Sequence, residues 1–409
     1  MRIIVQDNLW FSGPPSFANY VLDGQDMIPF EPLLGRSDSS DASAKSQELQ
    51  WLLRYTGRSG TGLVVAQEWI KPEDEIDRNL DLWLPIFERH GRRARWCVFY
   101  DPVLAVKQRG LGDTPPFDFS RLDLLAMWRS DLDHLERHFS TPKYWALGER
   151  PVLYVWAVHG GIVNADQAFA EADGRGLYIL GDVLGGRREP AGMRGVTGFV
   201  AAVPGIVRPG DLRDIGGLLP ELEQEFAYWS GQGYDFFPAS SLQYDDTDFQ
   251  RALGSAGQAP IRLLARGRDD LRRTLKSLRR NAADGAVMLG TANGWAEGTT
   301  CLPTKRSGPE FGAGRIAHYH FAHLEALHEV LFPGVSAYDG PKLEVIRRRR
   351  NRVIVKLTDV DALAKVRVRP RAALLKEKIR SGFERRLVVA PEARIKVRNL
   401  DRRRAEIET

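Results

Sequence analysis

The sequence predicts an α/β fold: a (β/α)8 TIM-type barrel over residues 1–336, with a small basic C-terminal appendage over residues 341–409. Three observations predict it. Eight short apolar runs recur along the chain, most of them leading into a polar or aromatic residue. Helical periodicity fills most of the intervals between them, and strands that alternate with helices build a parallel sheet. The charge is divided as well. Residues 341–409 hold 22 Lys and Arg against 9 Asp and Glu, a net +13; the whole chain is +5, which leaves −8 for residues 1–340.

The runs come in order. Ile3-Ile-Val5 leads to Trp10, Gly62-Leu-Val-Val-Ala66 to Glu68, and Trp96-Cys-Val-Phe-Tyr100 to Asp101. Val152-Leu-Tyr-Val-Trp156 leads to His159, and Leu177-Tyr-Ile-Leu180 to Asp182. Val196 to Val203 ends at Pro204, Tyr234-Asp-Phe-Phe237 leads to Tyr244-Asp-Asp246, and Ala286-Val-Met-Leu289 opens onto a glycine-rich stretch ending at Pro303. The runs are continuously apolar rather than alternating, as strands covered on both faces are. Between them, Leu125, Trp128, Leu132, Leu135 and Phe139 mark one face of a helix, as do Leu271, Leu275 and Leu278, and Phe321, Leu324 and Leu327. The weakest unit lies between the fifth and sixth runs, where Gly185-Gly186 and Pro190 make a full helix doubtful.

The C-terminal segment carries Arg347-Arg-Arg-Arg350 and the β-branched runs Val353-Ile-Val355, Val366 to Val368 and Leu387-Val-Val389, which suggest a β-containing unit; Pro370 to Ile379 reads as helical. Its charge suits an anionic partner, whether a glycan, a lipid headgroup or a phosphate. With one Phe and no Trp or Tyr it lacks the stacking platforms that single-stranded nucleic acid needs. His318, His320, His323 and His328 fall on one expected helix at spacings that do not suit a metal, so a partly exposed helix is expected. The two cysteines make no disulfide framework, and neither a signal peptide nor a transmembrane run stands out, so the expected location is the cytoplasm.

In a barrel of this kind the active site lies at the C-terminal strand ends. The residues there that can do chemistry are Glu297, Asp101 and Glu68. Those that can bind are Trp10, Tyr100, Trp156, Asp182, Tyr244, Asp246, Asn293 and Trp295. Carboxylates among aromatics suit a carbohydrate: oxygens bind hydroxyls, rings stack on C–H faces, and a carboxyl pair cuts the bond. No cofactor and no metal is called for.

Four segments resemble glycoside hydrolase family 99, the endo-α-mannosidase-like barrels, and the family 99-like proteins of bacterial polysaccharide loci. Ala292-Asn-Gly-Trp-Ala-Glu-Gly-Thr299 is similar to the family's Asn-Glu-Trp-x-Glu-Gly-Thr signature. Pro238-Ala-Ser-Ser-Leu-Gln-Tyr-Asp-Asp-Thr247 is similar to its Pro-x-Val-x-Pro-Gly-Tyr-x-Asp-Thr segment, and Lys143 to Tyr154 to its Tyr, Gly-Arg-Pro, strand segment. Ala94 to Asp101 stands where the family has a strand ending in a carboxylate near a Tyr. The resemblance implies a barrel in which one signature glutamate deprotonates the sugar 2-hydroxyl, giving a 1,2-anhydro intermediate, while the other is general acid and then base. The second falls on Glu297. The first falls on Gly294, which has no side chain, and a further family glutamate falls on Leu302. The family mechanism therefore needs a substitute base here, with Glu68, Asp101 and Asp182 as candidates.

Three readings follow: a barrel that cleaves or transfers a glycosidic bond, a glycan-binding accessory with an impaired site, and a glycosyltransferase-like component of surface-polysaccharide biosynthesis.

Overall fold

The eight apolar runs become eight parallel strands that close on one another in the computed structural model. It describes residues 1–9, 11, 20–28, 32–56, 62–89, 94–183, 192–197, 210, 212–254, 257–264, 268–283, 285–293, 300–302, 305, 321–334, 340–349, 351–358, 365–370, 374–381, 384–391, 393–400 and 404–408. The strands are β1 (Arg2–Asp7), β2 (Leu63–Trp69), β3 (Ala94–Tyr100), β4 (Arg150–Val155), β5 (Tyr178–Asp182), β6 (Gly195–Thr197), β7 in two parts (Asp235–Phe236 and Ala239–Ser240) and β8 (Ala286–Thr291). Helices α1 (Ala42–Thr56), α2 (Glu75–Arg89), α3 (Pro102–Gln108), α4 (Leu122–Phe139), α5 (Asp166–Gly174), α6 (Leu219–Ser230), α7 (Arg268–Asn281) and α8 (Ala322–Leu331) lie between and after them.

Each strand pairs in parallel with the next, from β1–β2 through to β5–β6. Closure depends on β7. Its first part pairs with β6 and its second with β8, which pairs back to β1. The switch falls at Phe237-Pro238. The Phe237 N–H still donates to the Val196 carbonyl (3.0 Å), whereas Pro238 has no N–H to give and its carbonyl accepts from Met288 on the other side (3.0 Å). One proline thus lets a single short strand bond left with one half and right with the other.

The helical faces are buried as the spacing predicts. Leu125, Trp128, Leu132 and Leu135 of α4 are inaccessible, as are Leu271, Leu275 and Leu278 of α7. Fully burying such a side chain stabilises by roughly 1.5–3 kcal/mol. The expectation of a partly exposed histidine helix is corrected. His323 and His328 on α8 are buried, and His328 Nδ1 lies 3.0 Å from the Tyr55 carbonyl. Burial holds His323 down at about 3, so it stays neutral. His318 and His320 lie outside the described residues, as do residues 184–191 of the interval from Val183 to Gly195 and residues 198–203 of the sixth run.

Beyond residue 340 the strands are antiparallel and alternate: β9 (Lys342–Arg349), β10 (Arg352–Thr358), β11 (Lys365–Arg369), β12 (Leu374–Ser381), β13 (Glu384–Val389), β14 (Arg394–Arg398) and β15 (Arg404–Glu408). They form two sheets, β9-β10-β13-β12 and β11-β14-β15. Val353, Val355, Leu357, Leu387, Val389, Ile395 and Val397 fill a hydrophobic cluster of their own, separate from the barrel's. The helix expected over Pro370 to Ile379 is a second correction. Leu374–Ser381 pairs with Glu384–Val389 up to the Ser381–Glu384 register, so a partner two residues away supplies the ladder that local propensity had not foreseen.

Candidate functional site

Neighbouring Cα partners in parallel strands share a face, and successive residues alternate faces, so the register sorts every strand-end residue. Glu68 is in register with Phe99, and Phe99 with Tyr154. Leu180 is in register with Tyr154. Carried one residue past the strand ends, where the Asp101 N–H donates to the Trp69 carbonyl (3.1 Å) and the Trp156 N–H to the Tyr100 carbonyl (3.0 Å), the register puts Asp101, Trp156 and Asp182 on the same face, at the C-terminal mouth. Phe99 and Tyr154 confirm the sharing, with ring centroids 4.7 Å apart. From the register, the Glu68 and Asp101 Cα atoms lie roughly 8 Å apart, one strand spacing across and two residues along.

Asp101 closes β3 and opens α3. Its Oδ1 accepts from the Leu104 N–H at 2.9 Å, the N-cap bond that starts the helix, and Pro102 follows at the first turn. The side chain is buried. Burial pushes its carboxyl up to about 7, against the pull of the Leu104 and Val103 amides. A carboxyl poised there exchanges a proton at neutral pH. Glu68 and Asp182 are buried as well, and Trp156 is partly buried. The Asp182 carbonyl accepts from the His159 N–H at 3.2 Å, tying the loop after β4 to the end of β5.

The mouth is braced where the barrel closes. Asn293, just past β8, accepts from the Asn8 N–H through Oδ1 (2.7 Å) and donates to the Asn8 carbonyl through Nδ2 (2.8 Å). Its amide works on the backbone beyond β1, which makes it a brace for the site. Beyond it the chain returns alongside itself: Cys301 N–H donates to the Thr291 carbonyl and Leu302 N–H to the Ala292 carbonyl, both at 3.2 Å. The six residues between Asn293 and Thr300, with Gly294, Trp295 and Glu297, lie outside the described residues, as does Trp10.

The remaining expected residues are placed elsewhere or are committed. Tyr100 has the opposite parity to Asp101. It packs against Trp69 and Trp128, and its hydroxyl donates to Asp131 of α4 at 2.7 Å. It belongs to the sheet–helix layer and not to the mouth, because alternation turns it away as it turns Asp101 in. Tyr244 sits on a separate small sheet with residues 212–214 and 262–264. Asp246 accepts from Ile261 N–H (2.7 Å) and Gln250 Nε2 (2.8 Å), while the Tyr244 hydroxyl donates to it at 3.4 Å, so this group organises its own loop.

Tyr154 was missed. It points inward one step below Trp156, and its buried hydroxyl has no hydrogen-bond partner among the described residues. Burial, with Asp182 and Cys97 nearby, raises its phenol well above the ordinary value. The i, i+2 relation of Tyr154 to Trp156 was the available signal. Among the described residues no group of three or more His, Cys, Asp or Glu could hold a metal.

A second polar cluster lies under the mouth on the helix side. Lys45 of α1 donates to Asp7 Oδ1 at 3.2 Å, stands 3.1 Å from Glu48 Oε2 and sits over the Trp83 ring at 4.9 Å, all of it buried. Burial pushes both carboxyls up against the pull of Lys45.

No family model and no curated protein matches the sequence. Solved structures do match in fold. Two are structures of the GH99 endo-α-mannosidase from Bacteroides thetaiotaomicron, one of them in complex with bis-tris-propane. They share 16% and 15% identity with this chain at TM-scores of 0.51 and 0.52, over 80% of this chain and 95% of theirs. A glycoside hydrolase-like protein shares 13% identity at a TM-score of 0.52, over 81% of this chain and 93% of its own. The chain has the fold of these barrels.

Proposed function

We propose that the barrel cleaves or transfers a glycosidic bond in a polysaccharide or glycan, with Glu297 as general acid/base and a mouth carboxylate in the role that Gly294 leaves vacant. The observation that carries this reading is the adjacency of Asp101, Trp156 and Asp182, with Glu68 one step below, at the C-terminal mouth of a closed parallel barrel. Asp101 suits the missing base best. It faces the mouth, and burial sets its carboxyl near neutrality. Trp156 offers an indole against which a pyranose can stack. Glu297 falls between Asn293, which the Asn8 brace holds, and Thr300, so a general acid there would come to the mouth from the end of β8. The fold's likeness to an endo-α-mannosidase supports a glycan substrate. Two buried thiols, Cys97 and Cys301, fit a reducing cytoplasm. Among the described residues no helix is long and apolar enough to cross a membrane.

The test is Glu297→Gln, assayed on a panel of α-linked glycans. Turnover should fall by about 10²–10⁴-fold, with melting and glycan binding nearly unchanged. An unchanged rate would remove the assignment. The second reading, an impaired glycan-binding or glycosyltransferase-like accessory of surface-polysaccharide biosynthesis, is favoured by one observation, the glycine at 294 where the resembling family has its base.

A further inference from the structure

The sheet β11-β14-β15 has one face in the hydrophobic cluster and the other in solvent. Val366, Val368, Ile395, Val397 and Ile407 alternate inward. Register sets the outer face. Lys365 is opposite Arg398, and Arg398 opposite Arg404, so three cations form one line across three strands; Arg367 stands one step along, opposite Lys396. At about 4.8 Å per strand the line spans roughly 10 Å. Like charges directly opposite one another destabilise a sheet. A second charge could offset this, yet the carboxylate described on this face, Glu406, is already held by Arg394 and by Lys396 (2.8 Å). Lys365, Arg367, Arg398 and Arg404 make no ion pair among the described residues, and they line a cavity of about 370 Å³.

Four cations around one hollow, none of them in an ion pair among the described residues, form a site that suits negative charge. The segment's only aromatic residue is Phe383, so no aromatic ring is described on this face to stack a base or the face of a neutral sugar. A ligand here is held by charge spaced at intervals of about 5 Å along a chain, matching the strands beneath. We propose that the outer face of β11-β14-β15 binds an acidic polysaccharide, one bearing carboxylate or sulfate groups on successive sugars. This binding does not rest on the glycan-acting reading of the barrel.

The experiment uses the full chain and measures binding without turnover, by titration calorimetry with polygalacturonate and dextran sulfate, and with neutral dextran as a control. Wild type should bind the two acidic polymers and not dextran, with affinity falling steeply as salt rises. The triple variant Lys365→Ala, Arg398→Ala, Arg404→Ala should lose about tenfold or more, since three exposed pairs each contribute a factor of a few. A matched control, Arg347→Ala, Arg348→Ala, Lys376→Ala, removes equal charge from the other sheet and should lose far less. Glu406→Gln frees Arg394 and Lys396 and should strengthen binding, which keeps the test alive if the triple variant misfolds. Equal loss in the matched control, no binding of either acidic polymer, or equal affinity for duplex DNA or phosphatidylserine vesicles would each overturn the proposal. A barrel without turnover leaves these outcomes readable, and Glu297→Gln judges the barrel separately.

Discussion

Asp101→Asn should make the protein more stable and less active at once. The Asp101 carboxyl moves from 3.8 to about 7 on folding, chiefly because burial disfavours its charge. A raised carboxyl favours the folded state most below its unfolded value, and that contribution is lost as pH rises through the folded value. Between these limits the difference is about three pH units, and at about 1.4 kcal/mol per unit the loss is of order 4 kcal/mol. Asn carries no charge to desolvate, and its Oδ1 can still accept from Leu104 N–H, since Asn and Asp cap helices about equally well. At about pH 8 the variant should therefore be more stable by about 2–4 kcal/mol, with the gain vanishing near pH 4. Urea unfolding at the two pH values checks this. If Asp101 is the substitute base, the wild-type rate should rise through about pH 7 and the variant should lose about 10²–10⁴-fold. A variant that is less stable at pH 8, or equally stabilised at both pH values, would show that the charge of Asp101 is not what burial penalises there. Full activity would take the base role from it.

Two more predictions concern neighbouring charges and the vacant position. Lys45→Met leaves Asp7 and Glu48 buried without their cation and should destabilise by about 3–5 kcal/mol, less at acid pH where the two carboxyls protonate; thermal melts across pH check it, and a melt unchanged at pH 8 would refute it. Gly294→Glu restores the side chain of the resembling family. With another carboxylate already serving as base, the variant should turn over glycans no faster than wild type; an inert wild type and an active variant would favour the impaired accessory instead.

Much of the fold was legible because strands covered on both faces write continuous apolar runs. Each of the eight runs supplies a barrel strand among the described residues, the sixth only over Gly195–Thr197, and the α4 and α7 stripes face the core. What stayed hidden depended on partners distant in sequence or on parity. Leu374–Ser381 has a composition open to helix or strand, and only its pairing with Glu384–Val389 decides it. Tyr100 and Asp101 are adjacent in sequence, and both ended a run well placed for a site. One peptide unit of alternation sends the first into the helix layer and the second to the mouth. Alternation was available in the sequence, yet its phase was not, because a run buried on both faces does not show which side is inside. Once Glu68 is fixed inward, the register fixes Asp101, Trp156 and Asp182 with it. The buried trio Asp7, Lys45 and Glu48 gave no warning, since its members become neighbours only when α1 packs on β1.

The same parity bears on the loss at position 294. A base is useful only if it faces the reacting sugar, so under the proposed function a barrel without the β8 glutamate would have to draw on carboxylates that already point inward. Three strand ends supply them: β2 with Glu68, β3 with Asp101 and β5 with Asp182. Of these, Asp101 is anchored by the first turn of α3, so its position is set by a helix start and not by a loose loop. A fixed carboxyl with a value near 7 loses little entropy in reaching its target and carries a usable fraction of both protonation states. The Asn293–Asn8 brace adds the other half. It joins the exit of β8 to the exit of β1, where the barrel closes, and so holds the root of the Glu297 segment against the same mouth. An acid from β8 and a base from β3 would then approach one sugar from separate strands, which is how barrels of this kind assemble their chemistry.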